Sequence, residues 1–198
     1  PIVDYGILIF VILLVTGIIL WWPKKWNKHN RDKSFKIKWK ARFKRLNYDL
    51  HNVLGFYTLL ILFIITATGL VWSFHWFARS VYWVTSAGKA MPDYKPLHSD
   101  ITSVMQYTRA SVDSLWLSVT HGDKQIGSSV SFPDDKDDVI GIGLNHQEGT
   151  LYKQDNYSFD QYTLQPLKGT GSFSGKYKDA GFADKISRMN YDIHTGQI

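Results

Sequence analysis

Residues 7–22 form an almost unbroken run of Ile, Leu, Val and Phe ending in two Trp, with only Thr16 and Gly17 intervening. With Tyr5 and Gly6 the run approaches the roughly 20 residues that cross a bilayer. A second run, 53–72, carries no charge and is broken only by Gly, Thr, Tyr and Ala, with Trp72 and Trp76 at its far end. These runs predict membrane helices over 5–22 and 50–76. A buried core helix is the alternative for the first. Trp21-Trp22-Pro23-Lys24-Lys25 argues against it, because aromatic residues followed by lysines mark a membrane–water interface. The remainder is polar and patterned in short pieces. Helical spacing runs over 97–110, with Ser99 or Asp100 as the cap. Strand-like runs follow at 114–120, 125–132, 139–144, 150–152 and 158–164, separated by Gly, Asp and Asn. The predicted fold class is therefore a membrane protein. It has two antiparallel transmembrane α-helices and a small extracytoplasmic α+β domain over 77–188. The start of a further span is expected over 189–198.

Charge gives the helices a direction. Eleven Lys and Arg lie between Lys24 and Arg45, facing only Asp32 and, just beyond, Asp49. A short loop this basic, 23–49, belongs on the cytoplasmic side. Nucleic-acid binding is the other use for such a run. Flanking membrane spans favour topology and anionic lipid instead, so no nucleic-acid partner is expected. From Phe77 onward the chain is mildly acidic, with 12 Lys and Arg against 14 Asp and Glu, so the net charge of +6 comes from the loop.

The chain has no cysteine. That excludes disulfides, thiol nucleophiles, iron–sulfur centres, Cys-based zinc sites and covalently attached c-type haem. The first run lacks the basic flank and small-residue cleavage site of a signal peptide. The chain starts at Pro1 without Met and reads as an internal stretch of a longer protein.

An internal repeat carries the candidate chemistry. Arg45-Leu46-Asn47-Tyr48-Asp49-Leu50-His51 recurs as Arg188-Met189-Asn190-Tyr191-Asp192-Ile193-His194, with five of seven positions identical. The first copy opens the second span, which is why a further span is expected at the second. Each copy places a His just inside a membrane helix, where an ionisable side chain needs a job or a partner. A neutral imidazole is a good axial ligand for haem iron. Helical steps put His51, Gly55, Thr58, Leu62, Ile65 and Gly69 on one stripe, where small residues let a flat macrocycle or another helix approach. Arg45 and Arg188 are candidate partners for haem propionates. Asn47, Asp49, Asn190 and Asp192 are N-cap candidates. The competing reading leaves both His at the interface, bonded to headgroups or water. Zinc is disfavoured because no second ligand follows at i+3 or i+4. His75 lies about 36 Å further along a helix and cannot share an iron with His51. His29, His98, His121 and His146 receive no role. On the expected topology His51 and His194 lie near opposite faces, about 25–30 Å apart. Trp83, Tyr94, Trp116 and Tyr157 could stack on an aromatic chelate, although packing is the commoner use of such residues.

At Asp49-Leu50-His51-Asn52-Val53-Leu54-Gly55, Thr68-Gly69-Leu70, Thr16-Gly17 leading to Trp21-Trp22-Pro23, and Asp192-Ile193-His194-Thr195-Gly196, the chain resembles the PepSY-associated transmembrane helix family of bacterial inner-membrane proteins. The resemblance implies four core spans with extracytoplasmic PepSY domains between them, so that 77–188 is PepSY-like. It also implies b-type haem held by helix His, with His51 serving an inner-side haem and His194 an outer-side one, their partner ligands lying on helices outside this chain. For some members it implies reduction of ferric siderophores during iron uptake. The implied function is transmembrane electron transfer by a haem-dependent ferric-chelate reductase with a separate electron donor. The alternative is a membrane-anchored PepSY binding or regulatory module without redox activity.

Overall fold

The computed structural model describes residues 2–102, 108–120 and 127–197, with side chains at all of these but 29, 109 and 110. His121, residues 103–107 of the expected 97–110 helix and the first residues of the 125–132 run lie outside the described residues. The chain divides into two compact units, Pro1–Ala78 and Arg79–Ile198.

In the first unit, helix α1 (Ile2–Trp21) packs against α3 (Phe43–Ser73), with α2 (Lys28–Phe35) between them in sequence. The half-buried side chains of α1 are Asp4, Ile7, Leu8, Val11, Leu14, Ile18 and Trp21, a seam at near-3.5-residue spacing. Trp21 stacks on Phe56 with ring centroids 4.0 Å apart, and Tyr5 meets Phe74 at 5.9 Å, so the helices run antiparallel. The other faces of α1 and α3 are large exposed apolar side chains. Both helices are long and apolar enough to cross a membrane, where acyl chains would cover those faces.

The predicted basic loop is largely structured. Pro23 follows α1 and cannot continue it. Asn27 caps α2 by accepting the Asn30 amide at 2.8 Å. Phe35 then fits edge-on between Trp21 (5.1 Å) and Phe56 (5.2 Å), closing the hairpin base. Helix α3 begins at Phe43, well before the expected start near 50, and its cap Arg42 makes no side-chain cap bond. Asn47 and Asp49 therefore lie inside the helix and are not N-caps. The charged first turns belong to it because Leu46, Asp49, Leu50, Val53 and Phe56 continue one inward face. At the far end Phe74 is extended, and α4 (His75–Thr85) begins there.

The second unit is an α+β domain. Four antiparallel strands, β1 (Gly127–Ser131), β2 (Val139–Asn145), β3 (Gln154–Asp160) and β4 (Pro166–Leu167), lie in sequence order. Ile140, Ile142 and Leu144 alternate along β2 and are buried with Phe159 against Val112 and Leu115 of α5 (Arg109–Thr120). Each such burial contributes about 1.5–3 kcal/mol. The opposite β2 face carries Gly141 and Gly143, where Ser131, Ser129 and Gln154 side chains occupy the space a Cβ would need.

Several local expectations are corrected. Residues 114–120 are helical: Val112, Leu115, Trp116 and Val119 face the core at helical spacing, while Leu117, which an alternating strand would bury, is 67% exposed. Thr108 and Ser111 exchange bonds and close the first turn of α5. Ser99 and Asp100 start no helix. Ser99 is buried and accepts the Gln161 amide at 2.9 Å, and Asp100 accepts the Thr102 amide at 3.0 Å. Residues 150–152 form a turn, not a strand. The 158–164 run starts earlier, in β3, and stops at Asp160, whose Oδ1 accepts the Tyr162 and Thr163 amides at 2.8 Å. Helix α6 (Phe182–Thr195) begins before the second repeat copy and holds all seven of its residues, so the copy does not open the helix. Gly196, at φ 72°, caps it, and the Gln197 amide donates to the Asp192 carbonyl at 2.8 Å.

Candidate functional site

In the first copy, the inward face of α3 buries Asp49 completely, at 0% exposure. Its Oδ1 lies 2.9 Å from Arg45 Nε, a charge contact without the alignment of a hydrogen bond. Its Oδ2 accepts the Lys38 amide at 3.3 Å, tying the segment after α2 to α3. The Arg45 guanidinium also lies 5.5 Å from the Tyr48 ring centroid, and Lys33 Nζ lies 5.5 Å away from the same ring.

His51 points elsewhere. It is exposed, with Gly55, Thr58, Leu62 and Ile65 exposed on its stripe. Gly69, the last residue of that stripe, is buried. A Cβ built on Gly55 meets nothing within 4 Å, so the space one turn above His51 is open. Thr58 returns its hydroxyl to the Leu54 carbonyl at 2.9 Å, which leaves that face without a competing donor at this position. An exposed imidazole beside an open surface is the chemistry that a haem would require of this helix. Arg45, with 37% of its side chain exposed, is the cation at the same end of the helix.

In the second copy, the Arg and Asp are fastening groups. Arg188 is 2% exposed and donates to three carbonyls: Nε to Ser172 at 2.7 Å, Nη1 to Gln154 at 2.9 Å and Nη2 to Ser174 at 2.8 Å. Burial lowers its pKa, while the nearby Asp184 and Asp155 charges raise it. Asp192, at 0% exposure, accepts the Leu151 amide at 3.0 Å and the Tyr152 amide at 2.7 Å. Asn190 is buried on the same face. Asp184, at the helix start, accepts the Tyr82 hydroxyl at 2.9 Å, which raises the Tyr82 pKa after burial has already done so. His194 follows in the last turn and is half-buried.

The sequence-derived residues thus separate. Arg45 and Asp49 meet each other, whereas Arg188 and Asp192 each hold separate backbone segments. His51 and His194 belong to different units. The N-cap role expected of Asp192 and Asn190 gives way to burial inside α6. Trp116 and Tyr157 pack against the sheet core, and Trp83 and Tyr94 are exposed. The fastening role of the two Asp residues was carried by the repeat itself, since Arg and Asp at i and i+4 share one helix face. Two further histidines, not singled out from sequence, contact carboxylates: His98 Nδ1 with Asp137 and His146 Nε2 with Asp155, both at 3.0 Å. Among the described residues no group of three or more His, Cys, Asp or Glu could hold a metal ion. Haem ligation needs only one or two imidazoles, so that finding leaves it open.

A search of curated proteins finds no match for the chain. The PepSY-associated TM region matches residues 2–198. Two membrane-length apolar helices and a small α+β sheet domain are thus the form taken here by a chain that belongs to the PepSY-associated TM region family.

Proposed function

We propose that this protein moves single electrons across the bacterial inner membrane to ferric iron outside, with His51 and His194 as the residues that would hold b-type haem. The reading rests on one observation above the others: His51 is exposed beside the open Gly55 position on a membrane-length helix that buried Asp49 holds in place. Bound haem would supply a one-electron iron couple. The chain's own residues supply the rest. His51 provides a ligand, Gly55 keeps the adjoining surface flat, and Arg45 offers a cation to a propionate. Arg188 and Asp192 act as positioning residues that fix the helix bearing His194. The Lys and Arg excess over 23–45 supports a cytoplasmic side for that end of the hairpin and a periplasmic one for the α+β domain. The substrate class is a ferric chelate such as a ferric siderophore, and the electron donor is a separate reductant.

The direct test uses the full-length protein in liposomes, with a membrane-impermeant reductant inside and a ferric chelate with a ferrous indicator outside. Haem-loaded vesicles should produce ferrous iron outside at a rate well above protein-free vesicles, and His51→Ala should remove that excess. An equal rate with His51→Ala would refute the assignment.

A second reading, a membrane-anchored binding module, draws on Arg188 and Asp192, whose bonds go to the domain's own backbone. It predicts ligand binding by the α+β domain with no dependence on either His.

A further inference from the structure

Beside the inner end of α1, Ile18, Ile19, Trp22 and Lys24 line a groove of about 430 Å³. Its surroundings divide the two tryptophans that close the helix. Trp21 turns inward and stacks on Phe56. Trp22 turns outward, 58% exposed, and rests edge-on against Trp26 at 5.3 Å. Ile19 is exposed too, so the groove offers an apolar wall on one side and an ammonium on the other. Lys25 follows Lys24, and both are exposed. The carboxylates of this region are engaged elsewhere: Asp32 pairs with Lys36 at 2.9 Å, and Asp49 with Arg45. Nine of the eleven basic residues between 24 and 45 stand outside those two pairs and keep a positive field at this end of the helix.

We propose that this groove is a binding site for one anionic phospholipid, its acyl chain along Ile18, Ile19 and Trp22 and its phosphate at Lys24 and Lys25. An apolar wall ending in a Trp and a lysine pair matches the boundary between chain and headgroup in a bilayer leaflet. A free phosphate would leave the apolar wall uncovered, and a zwitterionic lipid would leave the lysines uncompensated. Each lysine near an anionic surface contributes on the order of 1 kcal/mol, or about fivefold in occupancy. The site goes beyond the electron-transfer reading and needs only that α1 cross the membrane.

The test uses the full-length protein in nanodiscs doped with a lipid brominated on its acyl chains, either phosphatidylglycerol or phosphatidylcholine. Trp22 emission is taken as the difference between the parent and Trp22→Phe. Brominated phosphatidylglycerol should quench that emission at least about fivefold more effectively than phosphatidylcholine, the effect of one lysine. Lys24→Gln/Lys25→Gln should abolish the preference, and Lys36→Gln/Lys40→Gln should keep it. Equal quenching by the two lipids overturns the site. So does a preference that both double variants lose alike, which would mean diffuse charge only. Failure of both lipids to quench Trp22 also overturns it, because a protein segment would then fill the groove.

Discussion

The two copies of the seven-residue frame occupy different surroundings, and the contrast separates their conserved chemistry into two parts. In the first unit Asp49 takes one backbone amide, from Lys38, and touches Arg45. In the second, Asp192 takes two amides and Arg188 serves three carbonyls from β3 and the 172–174 segment. The Arg and Asp thus fasten whatever chain lies against the helix, thinly where a short segment crosses it and heavily where a folded domain does. His51, by contrast, lies on the exposed side of a helix whose inward face carries Asp49.

The largest effect should follow Arg188→Met. Three carbonyls would lose their donor within a buried site, destabilising the α+β domain by roughly 3–5 kcal/mol in denaturant unfolding of the full-length protein. Asp192→Ala should come next, at about 2–4 kcal/mol, because the Tyr152 amide would remain buried and unbonded and the part-buried Leu151 amide would lose its acceptor. Asp49→Ala should destabilise by only about 1 kcal/mol, since it frees a partly exposed Arg45 and one long bond. If Asp49→Ala proved as severe as Asp192→Ala, the contrast between thin and heavy fastening would fail.

Acid sharpens the contrast further. Burial raises the Asp160 pKa, yet amide donors from Thr163, Asp100 and Tyr162 outweigh it and hold the carboxyl below its ordinary value. A group depressed on folding stabilises above its unfolded pKa, about 4, and loses that contribution as pH falls through the folded value. Domain stability should therefore decline below about pH 4. Asp160→Asn should lower stability at neutral pH and flatten that decline; an unchanged acid profile would discount the carboxylate.

The smallest change in stability should come from Gly55→Leu, because a side chain there enters open space. Helix propensity would shift stability by less than about 1 kcal/mol. The same substitution should remove the haem signal that depends on His51, by filling the surface beside it. Retention of that signal would place the macrocycle elsewhere.

The membrane helices were legible because an apolar run of bilayer length has few other uses, and Trp21-Trp22-Pro23-Lys24-Lys25 marked where α1 stops. The early start of α3 was hidden. Charged residues at 44, 45 and 49 read as loop, yet Leu46 and Leu50 extend the inward face and Asp49 buries itself by pairing. Helix α5 was mistaken for a strand because Leu115, Leu117 and Val119 alternate; only burial of Trp116 and exposure of Leu117 decide the period. The repeat is plain in the sequence, but the role of its Asp is not. A capping Asp and an anchoring Asp look alike until the amide they accept is known, and those amides lie at Lys38 and at Leu151–Tyr152, far from each motif in sequence.

The central claim is that the repeated frame carries two separate haem-ligand histidines. Oxidised and dithionite-reduced visible spectra of the full-length protein, expressed with ample haem, test it most directly when His51→Ala and His194→Ala stand beside the parent. The account predicts a b-type spectrum that loses part of its intensity in each variant and nearly all of it in the double variant. A colourless parent, or a spectrum indifferent to both substitutions, would contradict it.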